Sequence, residues 1–126
     1  MKKIIETKMA PAPIGPYSQA VLAGNFLYIS GQIAIVPQTG ELEMTDVVSE
    51  THQVMKNLEA ILQATGASFD NVVKASIFLK DMKQFAQVNT IYGGYFVSQY
   101  PARETVQVSM LPKDVNVEIS MIAFLP

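Results

Sequence analysis

The chain has 126 residues, 49% apolar and 16% charged, so it can build one real core but has little charge to cover its own surface. With a mean hydropathy of +0.22, the simplest expectation is apolar surface buried between subunits. A net charge of −2, with no basic run beyond Lys2-Lys3, argues against a nucleic-acid partner, and the lack of cysteine excludes disulfides, thiolate metal sites and cysteine nucleophiles.

Residues 1–13 (MKKIIETKMAPAP) carry two lysines with no apolar stretch behind them and do not read as a signal peptide. No run approaches a membrane span, so a cytoplasmic protein with a single domain over residues 1–126 is expected. Residues 11–16 (PAPIGP) form a stiff, turn-prone entry. The runs QAVLA and FLYIS then flank Gly24-Asn25, the signature of a two-residue hairpin turn. With Ala23 opposite Phe26, the ladder pairs Val21 with Tyr28, Gln19 with Ser30 and Tyr17 with Gln32. Tyr17 is therefore expected beside the Ser30-Gly31-Gln32 stretch.

Residues 34–45 read as a loop broken by Pro37 and Gly40. A helix follows from about Asp46 to Thr65, with Val47, Val48, Met55, Leu58, Ile61 and Leu62 mainly on one face. Thr45 or Asp46 can cap its start, without a capping box, and Gly66 stops it. Val72–Lys80 reads as a strand with Val73, Ala75, Ile77 and Leu79 on one face. Met82–Phe96 reads as a second helix, its apolar stripe marked by Phe85, Tyr92 and Phe96. Two further strands, Thr105–Leu111 and Val115–Phe124, are joined through Pro112-Lys113-Asp114. In the last strand Val117, Ile119, Met121 and Ala123 face one way, and Asn116, Glu118 and Ser120 the other. The order β-β-α-β-α-β-β describes an α+β fold, a mixed sheet with both helices on one face. The other face is left for another subunit to cover.

Arg103 is the only arginine in a chain that otherwise uses lysine. A guanidinium is a planar fork that matches a carboxylate through two parallel hydrogen bonds, which an ammonium cannot do. It therefore reads either as the receptor for a small carboxylate or as half of an ion pair with Glu104 or Glu118. Glu118, in an otherwise apolar strand, reads either as a group that orients water or as a solvent-facing position. Asn89 falls on the apolar stripe of the second helix, where a buried amide holds a ligand or ties down a loop. Ser30-Gly31 allows close backbone approach to an anion, or serves a bulge. Tyr17 lines a site or fills the core. His52, the only histidine, reads as solvated, and one histidine without cysteine leaves no zinc site. With no GxGxxG and no phosphate loop, the chain is equipped only for a substrate that is nearly reactive already.

Six ordered segments carry a resemblance: APAPIGPYSQA (10–20), LYISGQI (27–33), NLEAILQATGASFDNVVKASIFLKDM (57–82), VNTIYGGYF (88–96), YPARETVQV (100–108) and LPKDVNVEI (111–119). Over essentially its whole length the chain resembles the reactive intermediate deaminase family (the RidA or YjgF family). The resemblance implies a chorismate mutase-like fold assembled as a homotrimer, with ligand clefts between subunits. It implies hydrolysis of 2-imino acids such as 2-iminobutanoate and 2-iminopropanoate to 2-oxo acids and ammonia, protecting pyridoxal-phosphate enzymes, with no metal or organic cofactor. The family's carboxylate-binding arginine corresponds to Arg103 and its water-positioning glutamate to Glu118. The remaining substrate contacts fall on Tyr17, Ser30, Gly31 and Asn89. Many members carry cysteine where this chain has Thr105, so a thiol nucleophile is not required here and the Thr105 backbone N–H is the expected contributor. Two other readings stay open: a non-catalytic module that binds small carboxylates, and a ribonuclease, which the charge balance disfavours.

Overall fold

The computed structural model describes residues 1–126 and builds them around one six-stranded sheet. In chain order the elements are β1 (Lys2–Ile5), β2 (Ala20–Ala23), β3 (Phe26–Gln32), α1 (Val47–Gln63), β4 (Val72–Leu79), α2 (Phe85–Gly93), β5 (Ala102–Gln107) and β6 (Val117–Phe124). The sheet order is β1-β2-β3-β6-β4-β5, antiparallel throughout except for the parallel pair β4 and β5. The molecule is thus a small α+β fold with a mixed sheet and two helices.

The hairpin forms where Gly24 and Asn25 predict it. Gly24 has φ of 60°, the left-handed value that such a turn demands. Ala23 faces Phe26 and Val21 faces Tyr28 as expected. Alternation then sets the faces. Leu27 and Ile29 of β3, Ala75, Ile77 and Leu79 of β4, and Val117, Ile119, Met121 and Ala123 of β6 are all buried. They pack against Val54, Met55, Leu58, Ile61 and Leu62 of α1 and Val88 and Tyr92 of α2, so both helices cover one face. Asp46 caps α1, its Oδ1 accepting from Ser49 N at 2.7 Å. At the other end Gly66 takes φ of 78° just past the helix. The opposite face is bare and partly apolar: Tyr28, Phe26, Phe124 and Val106 are each about two-fifths exposed or more.

Several expectations need correction. β1 escapes the sequence pattern because KKII alternates poorly and is mostly exposed; it pairs at the sheet margin with β2. Val73 does not share the buried face of β4, because the register against β6 shifts between Val72 and Lys74 and turns Val73 outward. The second helix is shorter than Met82–Phe96: a 3-10 turn over Met82–Gln84 precedes α2, which ends at Gly93. β5 begins at Ala102, three residues before its expected start, and ends at Gln107 because its parallel pairing with β4 runs only from Lys74–Ala102 to Leu79–Gln107. No helix is long and apolar enough to cross a membrane.

Candidate functional site

The predicted site residues fall into two groups. The first gathers around a bulge in β3. Ile29 pairs with Met121 and Gln32 with Ile119, so Ser30 and Gly31 together oppose the single residue Ser120. The ladder of the hairpin ends just before this point: Ser30 N donates to Gln19 O at 2.9 Å and Ser30 Oγ to Ser18 O at 2.6 Å. Tyr17 and Gln32 are therefore not ladder partners, but both line the same hollow, of about 410 Å3, together with Ser30, Gly31 and Glu118.

Gly31 is required by space and not by its dihedral angles. A Cβ there would overlap Glu118 Oε2 and lie 2.8 Å from Glu118 Cδ. The Glu118 carboxyl thus folds flat over the bulge on the helix-free face, half-buried. Burial raises its pKa above the ordinary carboxylate range, so it holds its proton more tightly than a surface glutamate. Lys113 also lines this hollow and forms no ion pair with Glu118.

The second group gathers around Arg103 at the sheet margin. Arg103 pairs in register with Ala75, which is buried under the helices, so its side chain lies on the helix side of the sheet. The guanidinium sits 5.2 Å from the Tyr92 ring centroid and 5.6 Å from that of Phe85. Arg103 Nη1 donates to Asn89 Oδ1 at 2.7 Å. Asn89 is exposed, not buried on the apolar stripe as expected; Val88 and Tyr92 take the inward positions, and the amide holds the arginine instead. The ion-pair alternative for Arg103 falls away: Glu104 points to the opposite face, where it binds Ser76 and pairs with Lys74 at 2.9 Å. The hollow around Arg103, about 460 Å3, includes Asn89, Tyr92, Tyr100 and Pro101. Burial pushes the Tyr92 hydroxyl up to about 12 against the pull of Arg103, so it stays neutral, and it has no hydrogen-bond partner.

Thr105 lies two residues along from Arg103 on the same face, its hydroxyl buried and unpaired. Val108 N donates to Leu79 O at 2.9 Å. Alternation in a parallel ladder then turns the N–H groups of Arg103, Thr105 and Gln107 away from β4, to the open sheet margin. Donors from the backbone and a guanidinium fork are therefore presented side by side, an arrangement suited to a carboxylate.

The two groups do not meet within one chain. Arg103 aligns with Ala75 and Met121, whereas Glu118 lies three residues further along β6 and on the other face. Two strand spacings and three residue rises put their Cα atoms about 14 Å apart.

Sequence reasoning missed three buried polar residues that shape the hollows. Gln19 donates to Thr7 O, Ala10 O and Pro11 O, tying the entry segment to β2. Asn57 donates to Ile33 O and Ile35 O, fixing the loop after β3. Glu50, fully buried on α1, accepts from Asn116 N, Asn116 Nδ2 and Val117 N. A signal existed for two of them: Glu50 and Asn57 lie at helical spacing among the buried apolar positions of α1. His52 is not simply solvated; its Nδ1 and the Tyr95 hydroxyl share a hydrogen bond of 2.8 Å.

The model of the family described as Endoribonuclease L-PSP matches residues 7–125. A RutC family protein of Pyrococcus horikoshii is 53% identical over 98% of both chains. A 2-iminobutanoate/2-iminopropanoate deaminase of Capra hircus is 49% identical over 98% of this chain and 90% of its own. Among solved structures, the E. coli YjgF gene product superposes with a TM-score of 0.92 at 44% identity, covering 97% and 98% of the two chains. E. coli TdcF with bound serine superposes with a TM-score of 0.94 at 42% identity, covering 98% and 99%. On sequence and fold alike, the chain belongs to the Endoribonuclease L-PSP family, the YjgF/RidA family of reactive intermediate deaminases.

Proposed function

We propose that the protein hydrolyses small 2-imino acids, such as 2-iminobutanoate and 2-iminopropanoate, to 2-oxo acids and ammonia, at clefts built from two copies of the chain. The observation that carries this reading is the division of the site: Arg103 and Glu118 occupy separate hollows on opposite sheet faces. A short acid cannot span them in one chain. A neighbouring copy seated against the bare sheet face would bring its own half-site to the other's, and a chorismate mutase-like homotrimer closes three such clefts with one repeated interface. The apolar residues bare on that face support the same arrangement.

In this cleft the Arg103 fork, steadied by Asn89 and the Tyr92 ring, clasps the substrate carboxylate with help from the Thr105 N–H. The imine carbon then faces Glu118, Tyr17 and the Ser30-Gly31 bulge of the second copy. The Glu118 carboxylate accepts a hydrogen bond from water and takes its proton as the oxygen attacks the imine carbon. Glu118 returns that proton to the nitrogen of the resulting carbinolamine, and the C–N bond breaks to release ammonia as the hydroxyl proton passes back to Glu118 and the C=O bond forms. Such imines hydrolyse readily, so positioning supplies much of the acceleration. A goat relative bearing the deaminase name and a serine-bound E. coli relative support a small amino-acid-like ligand.

The test uses threonine dehydratase to generate the imine and follows release of 2-oxobutanoate. Arg103→Ala and Glu118→Gln are each expected to be folded and inactive. Co-refolded in equal amounts, they should regain activity, because about one quarter of all clefts in the random mixture, roughly one of the three in each mixed trimer, pair an intact arginine with an intact glutamate. Mixtures that stay inactive although mass measurement shows mixed trimers overturn the shared cleft; Arg103→Ala with full activity overturns the chemistry.

The description of the family favours a second reading, RNA cleavage. The net charge of −2 and the dispersed lysines offer no basic footprint for a phosphate backbone. RNA degradation by highly purified protein that is lost in Glu118→Gln would favour it.

A further inference from the structure

The one fully buried carboxyl group of the chain is not on either hollow. Glu50 sits in the first turn of α1 with no exposed surface, and all three of its hydrogen bonds go to the two residues that precede Glu118. Oε2 accepts from Asn116 N at 2.8 Å and Val117 N at 3.2 Å, and Oε1 accepts from Asn116 Nδ2 at 2.7 Å. We propose that Glu50 is the positioning residue for Glu118, fixing the entry of β6 so that the Glu118 carboxyl is held in its slot over Gly31. The proposal rests on the deaminase reading for its kinetic arm only.

The local backbone explains why such a clamp is needed. The chain reaches β6 through Lys113 and Asp114, both in the left-handed region at φ of 55° and 56°. Neither is glycine, and such backbone persists only where its surroundings hold it. Lys80 pairs with Asp114 at 3.1 Å on one side of the turn, and Lys80 N donates to Asn116 O at 2.9 Å. Asp114 N and Val115 N donate to Leu111 O and Pro112 O within the turn, and Glu50 adds a hold from a helix on the opposite side of the sheet from Glu118. The slot over Gly31 leaves no slack, since even one Cβ there overlaps the carboxyl. A small rotation of β6 at Val117 therefore moves Glu118 off the bulge, and displacements of this size at a reacting group change rates far more than they change binding.

Glutamine can replace Glu50 if the Asn116 amide turns over: one Gln oxygen still accepts from Asn116 N and Val117 N, and its NH2 then donates to Asn116 Oδ1. Alanine cannot. The experiment compares Glu50→Gln, Glu50→Ala and Asn116→Ala, each checked for folding by circular dichroism. Expected for Glu50→Ala is a fall of at least tenfold in kcat, with the Kd for 2-oxobutanoate by calorimetry within twofold of wild type. Glu50→Gln should stay within threefold in kcat. Asn116→Ala, which keeps both backbone bonds, should lose about threefold in kcat and carries the test if Glu50→Ala does not fold. A second readout is independent of turnover: the 13C titration of the Glu118 carboxyl should move toward ordinary values in Glu50→Ala, and in Asn116→Ala to a smaller extent, but not in Glu50→Gln. If wild type shows no imine turnover, the deaminase reading fails by itself and the titration alone decides the role of Glu50. Folded Glu50→Ala, or Asn116→Ala where it stands in, with the wild-type Glu118 titration and unchanged kcat overturns the proposal, as does Glu50→Gln as impaired as Glu50→Ala.

Discussion

Gly31→Ala separates the chemistry of the site from the stability of the fold. The added Cβ would lie 2.8 Å from Glu118 Cδ, against 3.4 Å for ordinary contact, so Cδ must retreat by 0.6 Å and Oε2 by more. The atom that must move is the end of a flexible side chain, and the backbone of the bulge keeps its shape. An off-rotamer or rotated Glu118 costs about 0.5–1.5 kcal/mol, which lowers Tm by roughly 2–6 °C in a chain of this size. Activity responds differently. A displacement near 1 Å at a reacting group costs on the order of 100-fold. Thermal unfolding by circular dichroism and the dehydratase-coupled assay, run on the same preparation, should therefore show a modest loss of Tm and a fall in kcat of roughly two orders of magnitude. A folded Gly31→Ala with wild-type kcat would refute the placement of Glu118 as the group that handles water. A collapse in Tm would show that the glycine serves the bulge and not the carboxyl.

Other expectations follow from the same geometry. Arg103→Lys keeps the charge but loses the fork and the bond to Asn89, so kcat/KM should fall on the order of 100-fold while urea unfolding changes by less than about 1 kcal/mol; a lysine variant as active as wild type would remove the bidentate clasp. Tyr92→Phe deletes a buried hydroxyl that has no partner and should leave stability unchanged or raise it by up to about 1 kcal/mol; a clear loss in urea melts would mean that the hydroxyl is satisfied after all. Asn57→Ala strands the carbonyl of Ile35 and leaves that of Ile33 with the Ile35 N–H alone, and should cost about 1–3 kcal/mol in urea unfolding. Burial raises the pKa of Glu118 in the folded state, so the native protein binds more protons than the unfolded chain between about 4.5 and the raised value. Stability should therefore decline as pH rises through that window, and the decline should be absent in Glu118→Gln. The acid limb of kcat/KM should lie above 4.5 for the same reason, and a limb below it would place the working base elsewhere.

Local physics was legible in the residues themselves. Gly24-Asn25 fixed the hairpin and its register, because few residue pairs accept the backbone of that turn. The alternation of Val117, Ile119, Met121 and Ala123 fixed the buried face of β6, and with it the outward aspect of Glu118. A lone guanidinium among lysines marked Arg103. Other features depended on contacts far apart in the chain. β1 is held by pairing with β2 and carries no periodicity of its own. Val73 is turned out by a register shift that only the facing strand reveals. Asn89 sits outward because Arg103, fourteen residues later, comes to meet it. The partners of Glu50 lie 66 and 67 residues away, a separation that no local pattern encodes. Above all, spacing could nominate Arg103 and Glu118 but could not say that they lie on opposite sides of one sheet. That follows from the parallel addition of β5 beside β4, which sets the parity of every side chain on the marginal strand.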